Sequence, residues 1–284
     1  MNYNELIENH NSYQIKLKDY ESKWFIFKNS KISIWETFHL KGWYEALVVK
    51  NYSNAKQAFS DCAKADIYYY DLFKDNVGSD LFSFGRTHAL VTALSDNQEA
   101  IKAYSKIDYE IPYRGKKKVK FSELVSRGED HIYCDIIIKA MNKDLDAVAK
   151  DIEVIKSKCL AKKKNQWMEL DLRFFESIIN KDKDSAFDVI NILATKEHKK
   201  RNKHSWIYKD LISQPALGFA KILWINGIEL EFNNKFLINE LLPIKPIDNY
   251  EDNIGLLINK MTLQSESEIY NGRKLSEEEY NDRY

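Results

Sequence analysis

His131 and Asp135 stand one helical turn apart, beside Glu129 and Asp130, a spacing that lets an imidazole and a carboxylate reach a shared cation. A mononuclear site normally needs more ligands than this pair supplies, so the preferred reading is a helix-side ion pair or surface group. Arg86 and His88 follow Gly85 at a helix start and could form a cationic or acid–base pair. The reading taken for them is structural, with His88 packed under an adjacent helix. Glu169, Asp171 and Glu176 place carboxylates along one helix without a nucleophile or a paired acid, which reads as a solvated helix face. The chain has no phosphate-cradling glycine loop, no His-Glu-x-x-His helix and no Cys-x-x-Cys pair. The sequence therefore nominates no catalytic residue, no cofactor and no metal, and the expectation is a protein that is not an enzyme.

Basic side chains offer a second kind of chemistry. The runs 114–120 and 199–203, with Lys156, Lys158, Lys162, Lys163 and Lys164, could form a phosphate-binding patch beside Tyr113 and Trp167. A formal net charge of 0 argues against it, and both runs read as exposed loops between helices. Nucleic acid is not the expected partner. The zero itself conceals an asymmetry. From Glu229 to Tyr284 there are twelve acidic and six basic residues, a net of −6, so the preceding chain is +6. Such polarity can orient a protein partner.

The elements that would position these groups are helices. Apolar residues recur at three- and four-residue steps through 1–30, 32–50 and 53–72. One unit repeats: Ile137 to Ala147, an apolar helix, a tight Asn-Lys-Asp turn and a second helix, returns 38 positions later at Phe175 to Ser185. Looser copies lie at 46–55 and 90–100. In the two clear copies Asp146 and Asp184 fall in the first turn of the next helix, where a carboxylate favours the positive end of the helix dipole. Capping is preferred there over metal binding. Ser213-Gln214-Pro215 opens a late helix that ends at Asn226-Gly227, and Ile228 to Phe232 alternates with period two.

The fold class expected is all-α: an irregular stack of antiparallel helical hairpins resembling an α-solenoid, with at most a minor extended segment near 228–232. The organisation expected is an N-terminal helical region (1–80) packed on the main body, helical-hairpin repeats over 81–198, a C-terminal helical segment with a short extended piece over 199–262, and a weakly structured tail at 263–284. No window of the sequence reaches 18 uninterrupted apolar residues, and the first ten residues lack the basic and apolar regions of a secretory signal. Three widely spaced cysteines (Cys62, Cys134 and Cys159) read as thiols in a reducing cytoplasm.

The most distinctive stretch is Ile212 to Glu231, with Ala216-Leu217-Gly218-Phe219-Ala220-Lys221 on its helix and Gly227-Ile228-Glu229-Leu230-Glu231 after it. Followed by Leu241-Leu242-Pro243, it resembles the ending of bacterial polymorphic-toxin immunity proteins, most nearly immunity family 49. The resemblance covers 212–243. The hairpins at 86–198 agree with that family's general layout, and the first 80 residues add no distinctive match. The resemblance implies a cytoplasmic, non-enzymatic protein that binds and neutralises a cognate toxin, and it carries over no catalytic motif and no mapped interface. Together with the charge asymmetry it makes Glu229, Glu231, Glu240, Asp248, Glu251 and Asp252 the candidate partner-binding residues, matched to a basic, nuclease-like toxin domain. The other candidate face is the set of turns at 51–54, 95–98, 142–145 and 180–183. The competing function is a helical-repeat adaptor that binds another protein or RNA.

Overall fold

Four tight turns organise the helices. The computed structural model describes residues 2–20, 31–73, 85–113, 117–195 and 210–255. The described residues with positive φ that are not glycine are Lys50, Asp96, Lys143 and Lys181, at φ 54 to 63°. Each sits in one copy of the repeat read from sequence, and each is followed by an Asx residue. The side chain of Asn51 accepts from Asn54 N, that of Asn97 from Glu99 N and Ala100 N, that of Asp144 from Ala147 N, and that of Asp182 from Ser185 N. The left-handed residue ends one helix, and the Asx cap satisfies amides that the next leaves unpaired. The repeated acidic pattern is thus a capping device.

The chain runs α1 (Tyr3–Tyr20), α2 (Lys31–Tyr44, extended by a π-helical turn Glu45–Val49), α3 (Tyr52–Phe73), α4 (Gly85–Leu94), α5 (Gln98–Tyr104), strands β1 (Glu110–Tyr113) and β2 (Lys117–Lys120), α6 (Phe121–Ser126), α7 (Ile132–Met141), α8 (Leu145–Val154, with a π-helical turn Ile155–Cys159), α9 (Glu169–Asn180), α10 (Lys183–Leu193) and α11 (Gln214–Ile225). Short 3₁₀ turns occupy Lys163–Met168 and Asn239–Leu241. The fold is all-α, with one two-stranded antiparallel sheet in which Ile111 pairs with Val119. That sheet occupies the basic segment read as an exposed loop. Val119 turns into the core, while Lys118 and Lys120 face out, as a period of two requires. Ile228 to Phe232, read as the extended piece, has no ladder partner among the described residues. Its alternation is still real in burial, since Ile228 and Phe232 are buried and Glu229 and Glu231 exposed. The Asn239 side chain stands in for a neighbouring strand, donating to Phe232 O at 2.9 Å and accepting from Phe232 N at 3.0 Å.

Consecutive helices pack on one another, and α11 then returns to pack against α4, α7 and α10. Ten of its twelve residues are buried, so it fills the centre of the stack and has no solvent face to speak of. Phe219 stacks on Phe174 with centroids 4.3 Å apart and meets Phe175 edge-on. Asn226 donates to Ala140 O at 3.0 Å. The segments read separately as 81–198 and 199–262 therefore share one core. Gly42, a weak point of its helix by propensity, faces the ring of Phe59, and a side chain there would collide with it. The break at 75–80, the linker 199–203, nearly all of the short helix read at 205–211, and the tail 263–284 lie outside the described residues, as do 21–30.

Gly218 puts the backbone of α11 directly on α4: a Cβ there would stand 2.6 Å from Leu90 Cβ. Gly218→Ala is expected to destabilise the protein by about 1–3 kcal/mol in urea unfolding, through overpacking. A gain, which helix propensity alone favours, would refute the close contact.

Candidate functional site

A buried salt-bridge hub fixes the ground on which the site is built. Asp96, in the left-handed position of the α4–α5 turn, is 1% exposed and faces two lysines. Lys56 Nζ from α3 lies 2.7 Å from Asp96 Oδ2, and Lys221 Nζ from α11 lies 2.6 Å from Oδ1. Lys221 also donates to the carbonyls of Leu241, Leu242 and Pro243 at 2.9–3.1 Å. Lys56 donates to Lys245 O at 2.7 Å, and Lys245 N donates to Asp96 Oδ2 at 3.2 Å. Burial lowers the pKa of Lys221 to about 8; Asp96 opposes the shift and Lys56 adds to it. One carboxylate and a ring of carbonyl dipoles thus hold two ammonium groups out of water.

The hub anchors a strap, residues 241–255, that runs over α3 and the α4–α5 turn. Gln57 donates to Glu251 O and accepts from Glu251 N, both at 3.0 Å, and Lys64 donates to the same carbonyl at 2.8 Å. The Tyr250 hydroxyl donates to Ser95 O at 2.6 Å. Asn253 donates to Asp61 Oδ2 at 3.0 Å, and Gln57 to Oδ1 at 3.1 Å. Tyr68 donates to Asp252, and Ile254 is fully buried. Burial pushes the Asp61 carboxyl up to about 7, against the pull of the Asn253 and Gln57 hydrogen bonds and of Lys41 and Lys64.

Between the strap and the α2–α3 turn lies a cleft of about 1230 Å³. Its carboxylates are Glu45, Glu231, Glu240, Asp248 and Glu251. None of the five forms an ion pair with a lysine or arginine among the described residues. Glu45 accepts a 3.4 Å hydrogen bond from Asn54, and Glu240 is hydrogen-bonded to the Tyr52 hydroxyl. The Tyr52 pKa is raised by burial first and by Glu240 second. Of the lining lysines, Lys56 is committed to Asp96, which leaves Lys41 and Lys245. The cleft is net negative.

Four of the six carboxylates nominated from sequence, Glu231, Glu240, Asp248 and Glu251, therefore meet in one place. Two do not line it. Glu229 is exposed elsewhere, and Asp252 is spent on structure, accepting from Gly255 N at 3.1 Å and from Tyr68. Glu45 was missed, and no local signal marks it, since the strap that completes the cleft follows nearly two hundred residues later. The turn at 51–54, read as a separate face, supplies Tyr52, Ser53 and Asn54 to the same cleft. The turn at 95–98 is corrected from a contact face to a buried hub: Ser95, Asp96 and Asn97 are all under 5% exposed.

Several of the other nominated groups have structural partners. Arg86 pairs with Asp171 at 2.5 Å, and His88 pairs with Asp66 at 2.8 Å while stacking on Trp35 at 3.7 Å. Tyr104 donates to the same Asp66. Asp135 pairs with Lys139, which also donates to both oxygens of Asp151 at 2.8 Å, and His131 packs edge-on against Phe121. Glu176 pairs with Lys156 at 3.0 Å. Lys158 and Lys162, grouped above as a phosphate patch, donate to the carbonyls of Ser126 and Gly128. His39, buried between Trp35 and Trp43, accepts from Trp43 Nε1 at 2.8 Å, and burial holds its pKa well below the usual imidazole value. The three cysteines are buried and none is in a disulfide. No group of three or more His, Cys, Asp or Glu among the described residues is arranged to hold a metal, and no described helix is long and apolar enough to cross a membrane.

Comparison with protein-family models, curated proteins and solved structures finds no match to this chain. The site stands on its own geometry.

Two measurements check it. Lys221→Met leaves Asp96 short of one cation and three carbonyls short of a donor, and is expected to cost about 3–5 kcal/mol in urea unfolding. Asp61 binds its proton more tightly folded than unfolded, so its contribution to stability falls as pH rises from about 4 to about 7. Asp61→Asn keeps an acceptor for Gln57, and its amide pairs with Asn253 after that side chain flips. The substitution is expected to be near neutral at pH 4 and stabilising, on the order of 1–3 kcal/mol, at pH 8. A pH-independent effect would remove the assigned cause.

Proposed function

We propose that this chain is an immunity protein that binds a cognate bacterial toxin in the cytoplasm and neutralises it by occluding the toxin's active surface. The observation that carries the reading is the cleft. Five carboxylates from three separate stretches of chain line it with no cationic partner among the described residues. Unpaired like charges held together destabilise the free protein slightly and gain most when an oppositely charged surface arrives. Three of the five, Glu231, Glu240 and Glu251, flank or follow the helix that carries the resemblance to polymorphic-toxin immunity proteins, and that helix anchors the wall they stand on. The partner's matching surface is basic, as in a nuclease-like domain that must bind phosphates. The same negative field repels RNA from this face, which weighs against an RNA-binding adaptor. Three buried cysteines outside any disulfide suit a reducing compartment.

Expression with a toxin encoded beside this chain tests the reading. The expected outcome is cell survival together with a complex that co-elutes at fixed stoichiometry. Charge reversal at Glu231, Glu240 and Glu251 is expected to weaken that complex by roughly tenfold or more, mainly at low salt. Neither rescue nor complex would move the assignment to an adaptor.

A further inference from the structure

We propose that the cleft receives an extended cationic segment of the partner protein, a protruding strand or loop that carries several spaced lysines and arginines. This rests on the toxin-binding reading and specifies what enters the site. Three observations select that occupant. At about 1230 Å³ the cleft exceeds the roughly 300–1,000 Å³ typical of small-molecule pockets. Its carboxylates line the one cleft from spaced positions: Glu45 opens the π-helical turn after α2, Glu231 follows α11, and Glu240, Asp248 and Glu251 are spread along the 3₁₀ turn and strap. No described cluster could chelate one ion, so spaced negative charges call for spaced positive ones.

The third observation concerns rigidity. The strap wall is pinned before any partner arrives, by the Lys56–Asp96–Lys221 hub, by Gln57 on Glu251 and by Tyr250 on Ser95. A preformed wall removes most of the ordering cost of binding, so contacts to a single segment can suffice. A phosphate-bearing chain meets repulsion from the same carboxylates.

The test uses the full chain and short fluorescent peptides in which lysine alternates with valine, read by anisotropy at low and physiological salt. Wild-type protein is expected to bind the lysine peptide and not a glutamate–valine peptide. The triple exchange Glu231→Gln, Glu240→Gln and Glu251→Gln is expected to lose tenfold or more of that affinity. A remote triple exchange, Asp146→Asn, Glu153→Gln and Asp184→Asn, is expected to change it by less than about twofold. Equal losses in the two variants, or no binding by wild type, would overturn the proposal. All exchanged groups are exposed, and the thermal melt of the cleft variant is expected to be unchanged. Should the cleft variant melt early, the single exchanges carry the same comparison, each expected to lose about two- to threefold. Co-expression separates the two ideas. Peptide binding without rescue from the toxin rejects neutralisation and keeps the cleft assignment, whereas full rescue by the triple glutamine variant rejects the cleft assignment and keeps neutralisation.

Discussion

Two lysines share one buried carboxylate, and much of the molecule's order follows from that arrangement. Asp96 sits where a left-handed residue must end α4, and from there it reaches α3 through Lys56, α11 through Lys221 and the strap through the amide of Lys245. A lone buried carboxylate or ammonium costs several kcal/mol, so each member of the hub is tolerable only while the others are in place. That mutual requirement ties four segments far apart in sequence to one geometry. An apolar core of the same volume would hold the helices as tightly, but it would not specify where the strap's carbonyls must lie.

The hub also gives the central helix its direction. α11 buries residues all round, and an apolar cylinder can rotate among several packings of similar energy. Three features remove that freedom. Gly218 admits Leu90 on one side, Phe219 enters the Phe174–Phe175 pair on another, and Lys221 points at Asp96. With the helix fixed, the carbonyls of Leu241, Leu242 and Pro243 are drawn to Lys221, and the strap starts beside the α2–α3 turn. The cleft is the space left between the two. Its acidic walls are therefore a consequence of core packing, and their charges can vary without disturbing the fold.

Polar side chains take over work that secondary structure does elsewhere. Asn239 pairs with both backbone groups of Phe232, and Gln57 does the same for Glu251. Each amide replaces a strand neighbour for one residue, so extended segments can cross the helical body with their buried N–H and C=O groups satisfied. Between α11 and residue 255 the irregular stretch is thereby held with only the short 3₁₀ turn at Asn239–Leu241 and the helical residues 253–255 to help it.

The sequence alone determined what is local. Three- and four-residue periodicity located the helices, the Asn-Lys-Asp turns located the hairpins, and proline with Asn-Gly bounded α11, because capping and helical amphipathicity are short-range effects encoded within a few residues. It also placed negative charge in the C-terminal fifth of the chain. Tertiary structure decided which of those charges meet. Glu231 and Glu251 join Glu45 because a buried lysine fixes the strap beside a turn almost two hundred residues earlier, and Asp252 is withdrawn from the site because Tyr68 and Gly255 claim it. The turn at 95–98 looked like its three counterparts in sequence yet became the buried hub. Periodicity reports which face of a helix is apolar, but the position of a charge in space depends on long-range packing that no local pattern carries.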